Sequence, residues 1–296
     1  MTMHKSGFVN IVGNPNVGKS TLMNTLVGER ISIITSKAQT TRHRIMGIVN
    51  GEDFQIVYSD TPGVLKPNYK LQESMLGFST SALKDADILL YVTDTVEKGM
   101  KNSDFVEKVK KQQAPVLLII NKIDLTDQQK LEALVAQWKE ILPDAEIIPI
   151  SAANKFNVDY VLKRIKDLLP ECPPYFEKDA LTDKPARFFV TEIIREKILT
   201  NYDREIPYAV EVVVESFKES DDLIRINAVI NVERDTQKGI IIGKGGNMLK
   251  KVGTEARKDI EAFFGKKVFL EMFVKVEKDW RNKELKLKSF GYDADI

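Results

Sequence analysis

Gly13-Asn14-Pro15-Asn16-Val17-Gly18-Lys19-Ser20 follows the apolar stretch Phe8–Val12 and opens an amphipathic stretch beginning at Lys19. These residues fit G-x-x-x-x-G-K-[ST] between a strand and a helix, the context in which that pattern has a mechanism. Glycines without side chains let the loop turn backbone N–H groups inward, and the helix N-terminus adds its positive end, so the loop is suited to cradle phosphate. Lys19 is placed to reach the β- and γ-phosphates and the Ser20 hydroxyl to ligate Mg²⁺, with Thr21 next in the same turn.

Outward from this loop, short β-branched runs alternate with helical periodicity as far as Leu169. Phe8–Val12, Arg44–Asn50, Phe54–Ser59, Ile88–Thr93, Val116–Ile120 and Ile147–Ile150 read as strands. Lys19–Val27, Leu71–Leu83, Asp104–Lys111, Gln128–Leu142 and Val158–Leu169 read as helices. Such alternation implies an α/β domain with a six-stranded, mostly parallel sheet covered on both faces. Only Gly51-Glu52-Asp53 separates the second strand from the third, so one strand is expected to run antiparallel.

The remaining motifs fall at strand ends. Asn121-Lys122-Ile123-Asp124 follows Val116–Ile120, and a carboxylate there can accept two hydrogen bonds from guanine N1 and N2 that adenine cannot offer. Asp60-Thr61-Pro62-Gly63 supplies a carboxylate for the Mg²⁺ shell and a glycine N–H for the γ-phosphate. Thr40 and Thr41 lie in the polar stretch before the second strand, and the Thr41 hydroxyl is a third candidate metal ligand beside Ser20 and Asp60. Ser151-Ala152-Ala153 is expected to close over the base with backbone amides. The implied ligands are GTP and GDP with Mg²⁺. Lys19, Asn16, Thr41 and Gly63 are the candidate catalytic residues. Val64 follows Gly63 where Ras-type enzymes carry the glutamine that orients water, so intrinsic hydrolysis is expected to be slow.

Pro170-Glu171-Cys172-Pro173-Pro174 and the polar residues up to Pro185 suggest a linker over 171–186, separating a domain at 1–170 from a smaller α+β domain at 187–296. The second domain reads as a helix at Arg187–Thr200, strands at Ala209–Glu215 and Leu223–Val232, a glycine-rich turn, a helix to about Phe264 and a strand at Lys267–Val276. Within it, Ile240-Ile241-Ile242 leads into Gly243-Lys244-Gly245-Gly246. That G-x-x-G turn suits close approach to a nucleic-acid backbone. Ile240, Ile241 and Ile242 are expected to floor a groove, with Lys244, Lys250 and Lys251 attracting phosphate.

Composition narrows the class. The net charge is +1, yet seven basic residues face three acidic ones between Glu233 and Lys258, so the basic surface is local. One cysteine and two histidines supply no structural zinc set and no internal disulfide, which suits a reducing cytoplasm. No apolar run approaches the roughly 20 residues of a membrane span, and the first strand begins too early for a secretory leader to be expected.

Together these features resemble the TrmE–Era–Obg group of TRAFAC-class GTPases, and within it the Era family. The resemblance covers nearly the whole chain. It rests on the P-loop, Gln39-Thr40-Thr41-Arg42-His43-Arg44, DTPG, NKID, SAA, a type II KH domain and the ending Trp280…Leu287-Lys288-Ser289-Phe290-Gly291-Tyr292. It implies that the chain binds 16S rRNA near its 3′ end and assists 30S subunit assembly; a cytoplasmic monomer is expected, and the basic surface could add peripheral contact at the cytoplasmic face of the inner membrane. In related GTPases an asparagine matching Asn16 helps to hold K⁺. The alternatives are a tRNA-modification GTPase resembling TrmE, disfavoured by the absence of a C-terminal cysteine motif, and a nucleotide-regulated scaffold at a membrane surface.

Overall fold

The computed structural model describes residues 4–97 and 101–293, so Met1–Met3 and Ala294–Ile296, the expected domain ends, lie outside the described residues. The chain divides into two compact units. One runs through Asn68 and from Gln72 to Asp183, and the other takes Tyr69–Leu71 and Lys184–Asp293.

In the first unit the order is β1 Lys5–Gly13, α1 Lys19–Val27, β2 Ile45–Asn50, β3 Phe54–Asp60, α2 Lys70–Ser81, β4 Ile88–Asp94, α3 Ser103–Lys110, β5 Val116–Asn121, α4 Gln128–Ile141, β6 Glu146–Pro149 and α5 Val158–Leu168. Six strands form one sheet in the order β2-β3-β1-β4-β5-β6. The β2–β3 hairpin is antiparallel and the other pairings are parallel. The central strand β4 is buried at every position, as a strand with a helical layer on both faces must be. Burial of each such aliphatic side chain contributes roughly 1.5–3 kcal/mol. Because β1 sits between β3 and β4, connections leave it in opposite directions, which opens a crevice at the carboxyl ends of the strands. The P-loop follows β1, Asp60 ends β3, Asp94 ends β4 and Asn121 ends β5. Every motif singled out in this half of the chain therefore meets at one edge of the sheet.

The second unit runs α6 Ala186–Asn201, α7 Ile206–Ala209, β7 Glu211–Glu219, β8 Leu223–Val232, α8 Asp235–Ile242, α9 Asn247–Phe264, β9 Lys267–Val276 and α10 Glu284–Ser289. Its sheet is β7-β8-β9, with β7–β8 antiparallel and β8–β9 parallel. Ile194, Ile198, Ile224, Ile226, Ile230, Ala256 and Ile260 lie in its core.

The segment expected as a linker does not hang free over its first part. Ile48 N–H donates to Leu181 O at 2.8 Å, Thr182 Oγ1 donates to Met46 O at 2.6 Å and Met46 N–H donates to Asp183 Oδ1 at 2.9 Å. Gln55, fully buried, accepts from the N–H groups of Tyr175 and Phe176 and donates to Phe176 O, at 2.7, 3.0 and 2.8 Å. Residues through Asp183 thus belong to the first unit, and the proline content that suggested a flexible linker instead marks an extended strap with few helical options. Replacing Gln55 by Ala leaves those three backbone groups without a partner. A loss of about 2 kcal/mol in unfolding free energy is expected, read from the denaturant midpoint of the full chain.

Candidate functional site

The P-loop is held tightly by its neighbours. Gly18 sits at φ +94°, and a Cβ there would lie 2.2 Å from the Asn121 side-chain nitrogen. Only glycine meets both conditions. Lys19 is buried, 6% exposed, and its Nζ donates to Gly13 O at 3.1 Å and Asn14 O at 2.8 Å. Burial lowers its pKa to about 8, against the opposing pull of Asp60 and Glu97. Nucleotide phosphates supply the negative charge that such a buried ammonium needs.

Ser20, Thr41 and Asp60 come together although they are far apart in sequence. Ser20 Oγ donates to Asp60 Oδ2 at 2.7 Å and lies 2.9 Å from Thr41 Oγ1. Thr41 Oγ1 also donates to Asp60 Oδ2, at 3.4 Å. Asp60 is fully buried, and its Oδ1 and the Ser32 hydroxyl are buried without hydrogen-bond partners. Burial raises the Asp60 carboxyl pKa, opposed chiefly by the Ser20 hydrogen bond and by Lys19. A buried carboxylate with a spare oxygen beside two hydroxyls is an all-oxygen set, the chemistry that a hard cation such as Mg²⁺ accepts. The residues present therefore fit the metal that the motifs imply.

A cavity of about 420 Å³ adjoins these groups, lined by Asn16, Lys19, Ser20, Thr21, Gly63 and Lys122 together with residues from Ile33 to Thr41. At its base end Lys122 takes a left-handed backbone conformation, φ 62°, and its Nζ donates to Asn16 O and Asp94 Oδ2, both at 2.6 Å. Asp124 is exposed, with Oδ1 accepting from Ser151 Oγ at 2.5 Å. That bond orients a carboxylate otherwise open to a ligand.

Several expected nucleotide contacts turn their side chains elsewhere. Thr61 Oγ1 donates to Ile11 O at 2.7 Å, and Pro62 O accepts from Ser79 Oγ at 2.7 Å. Val17 is fully buried, and Val64 lies in an apolar cluster with Val12, Leu89 and Phe105. Ile123 packs against that cluster. Asn14 points to Glu97 and Asn102. Only backbone groups of these residues remain to meet a nucleotide. Ala152 N–H is taken by Asn121 Oδ1 at 3.0 Å, so of the SAA triplet the amide of exposed Ala153 is left to approach a base. Sequence reasoning missed Asp94, Glu97, Asn102 and the lining residues Ile33, Ile34 and Ser36. Asp94 had a usable signal, its place one residue beyond the apolar run of β4, whereas the others depend on packing.

In the second unit the expected apolar floor is the last turn of α8, not a strand or a continuous surface. Ile241 is fully buried in the core, and its carbonyl accepts from Tyr202 Oη at 2.7 Å. Ile240 is 48% exposed and Ile242 half-buried. A helical period sends three consecutive isoleucines in three directions, so they cannot share one face. Beyond them Gly243, Gly245 and Gly246 all have positive φ, which turns the chain into α9. A groove of about 380 Å³ starts at Gly246 and runs between Lys250, Gly253 and Arg257 of α9 and Leu270 and Met272 of β9. Lys244 and Lys251 are exposed outside it. The packing of α9 against β9, which the motif alone did not show, adds Gly253, Arg257, Leu270 and Met272 to the candidate residues.

Residues 8–122 match the family described as 50S ribosome-binding GTPase, and residues 205–281 match the KH domain family. Over 297 residues, all of this chain and 99% of the relative, the sequence is 46% identical to GTPase Era of Staphylococcus haemolyticus. The chain belongs to the Era family of GTPases. Two solved structures of that family are also similar. An Era in complex with MgGDPNP and nucleotides 1506–1542 of 16S ribosomal RNA has TM-score 0.93 and 38% identity, with 98% of this chain and 99% of that one covered. An Aquifex aeolicus Era bound to GDP.AlF4- has TM-score 0.92 and 39% identity, with 97% and 99% covered. As an Era-type GTPase, this chain is a P-loop GTP hydrolase with a KH domain.

The lowered Lys19 pKa has a definite sign in binding. Before nucleotide binds, Lys19 titrates near 8 rather than 10.5, and phosphate charge favours its protonated form. Binding of GDP should therefore take up more protons at about pH 8.5 than at about pH 7. Calorimetry in buffers of different ionisation heat measures this, and equal uptake at both pH values would contradict it.

Proposed function

We propose that this Era-family GTPase binds single-stranded RNA in the α9–β9 groove under the control of its nucleotide state. Its ligand is 16S rRNA near the 3′ end, and its role is in 30S subunit assembly. The observation that carries the reading is the likeness, over 98% of the chain, to an Era holding both MgGDPNP and 16S RNA. The 50S description belongs to a family matched only over residues 8–122, whereas the likeness to Era spans both units.

At the nucleotide end, Ser20, Thr41 and Asp60 would hold Mg²⁺, which would supply neutralisation of phosphate charge. Lys19 meets the phosphate oxygens, and the Gly63 N–H faces the γ-phosphate. Water attacks the γ-phosphorus, the bond to the β–γ bridging oxygen breaks, and GDP and inorganic phosphate result. Asp124 selects guanine. Thr41 and Gly63 connect the γ-phosphate to the segments 32–44 and 63–79, which order when it is present and relax when it leaves.

Val64 is 3% exposed and apolar, so its side chain cannot align the water. We place K⁺ in that electrostatic role, held through Asn16. Support comes from the Asn16 amide, which lies at the cavity rim and whose Nδ2 donates to Ser36 O at 3.0 Å, so that Oδ1 is the atom that would ligate the cation. Replacing K⁺ by Na⁺ should slow GTP hydrolysis severalfold, and Asn16→Ala should abolish that difference. Equal rates in the two salts would remove K⁺ from the mechanism.

For RNA, phosphates at the G-x-x-G turn position the strand while unpaired bases are read in the groove. Gly245 has open space where a Cβ would stand, whereas a Cβ at Gly243 would meet Met248 at 2.7 Å. Gly245→Asp therefore adds a repelling charge with no neighbouring atom in its way, at the cost of some backbone strain because residue 245 sits at φ 61°. It should weaken binding of a 16S 3′-end oligonucleotide at least tenfold, with GDP affinity unchanged. The protein is read as a cytoplasmic monomer, and no helix among the described residues is long and apolar enough to cross a membrane. Peripheral contact with the inner membrane rests on the basic surface alone. Salt-titrated binding to anionic vesicles as tight as to RNA would favour the membrane-surface reading instead.

A further inference from the structure

The backbone of Val64 is gripped at both its N–H and its carbonyl. Val64 N–H donates to Gly13 O at 3.0 Å, and Val64 O accepts from Asn102 Nδ2 at 2.8 Å. The same nitrogen gives its other hydrogen to Asn14 Oδ1, also at 2.8 Å. Asn14 Nδ2 then donates to Glu97 Oε1 at 2.9 Å, and Glu97 Oε2 accepts from Thr93 Oγ1 at 3.2 Å near the end of β4. One carboxamide therefore joins a P-loop side chain to the first residue beyond the Asp60–Gly63 motif.

The chemistry requires this residue type. Val64 O can only accept, which fixes the NH₂ group of Asn102 toward it, and a side chain that serves two acceptors from one atom must carry two hydrogens there. Asn102 adopts φ 54°, a left-handed conformation that asparagine tolerates better than most residues. Its own carbonyl accepts the first hydrogen bond of α3, from Phe105 N–H at 2.9 Å, while its side chain turns toward the nucleotide end. Asn14 is 5% exposed, so the link is shielded from competing water.

We infer that Asn102 is a positioning residue for GTP hydrolysis, holding the Val64 carbonyl, and with it the backbone just after Gly63, against the P-loop through Asn14. The inference rests on the GTPase activity of this site. Since residue 64 brings no polar side chain to the reaction, alignment at the γ-phosphate falls to the neighbouring Gly63 N–H, and its placement depends on what grips Val64. Asn102 does not line the nucleotide cavity. It should affect turnover and leave ground-state binding alone.

Asn102→Asp keeps the side-chain shape and replaces both donors with acceptors facing Val64 O and Asn14 Oδ1. In the full chain, single-turnover GTP hydrolysis should fall about 10- to 100-fold, while GDP affinity and the affinity for a non-hydrolysable GTP analogue stay within about twofold. Asn102→Ala, which adds no repulsion, should show the same split with a smaller loss and serves if the aspartate variant does not fold. Combined with Asn14→Ala, the Asn102→Ala change should cost clearly less than it does alone, since the two residues act as one link. Turnover within twofold of the unaltered protein in the alanine variant overturns the inference, as does a turnover loss matched by an equal loss of nucleotide affinity. Failure of the unaltered chain to bind GDP or hydrolyse GTP would instead strike the reading on which the inference stands.

Discussion

The Asn121 side chain ties the nucleotide end of the first unit together. Its Nδ2 donates to Val17 O at 2.9 Å and its Oδ1 accepts from Ala152 N–H at 3.0 Å, so one buried carboxamide joins the phosphate loop to the loop beside the base. Both bonds lie away from water, where an unpaired amide costs more than the bond contributes. Gly18 follows from this contact, because a side chain there would displace Asn121. Lys122 adds a second tie through Asn16 O and Asp94. The N-K-x-D sequence therefore does two jobs with alternate residues. Asn121 and Lys122 build the floor, and Asp124, oriented by Ser151, stays exposed at the surface.

The same economy appears at the metal end. Asp60 is costly to bury as an anion, and its raised pKa expresses that cost. Ser20 and Thr41 offset part of it with hydrogen bonds, and Lys19 with charge. What is left over is a carboxylate oxygen and a hydroxyl without partners. Unfilled polar valence in a closed site is the form in which binding capacity for a cation and phosphates is held before either arrives.

In the first unit, strand and helix order and the antiparallel hairpin were legible in sequence because each rests on a local pattern of β-branched or helical spacing. Leu223–Val232 and Lys267–Val276 could be delimited from β-branched runs alone. The isoleucine run 240–242 misled because an apolar triplet is too short to reveal its period, and the structure sends only Ile241 inward. Asn14 showed only as one more P-loop residue, and its partner Asn102 lies 88 residues away. The α9–β9 groove was half legible. Glycines 243, 245 and 246 announce a turn, while Arg257 and Met272 become neighbours only when α9 packs on β9. Proline content at 170–185 suggested a linker but said nothing of what that chain lies against.

That strap carries a consequence for handling the protein. Strand β2 is the last strand on its side of the six-stranded sheet, and the backbone of Met46 and Ile48 is occupied by Leu181, Thr182 and Asp183. A fragment ending near Pro170 would keep every nucleotide-binding motif and still leave that edge bare, with free N–H and C=O groups able to recruit another copy's strand. Poor solubility of such a fragment would report a missing cover rather than a defective nucleotide fold. The boundary for an isolated first unit belongs after Asp183.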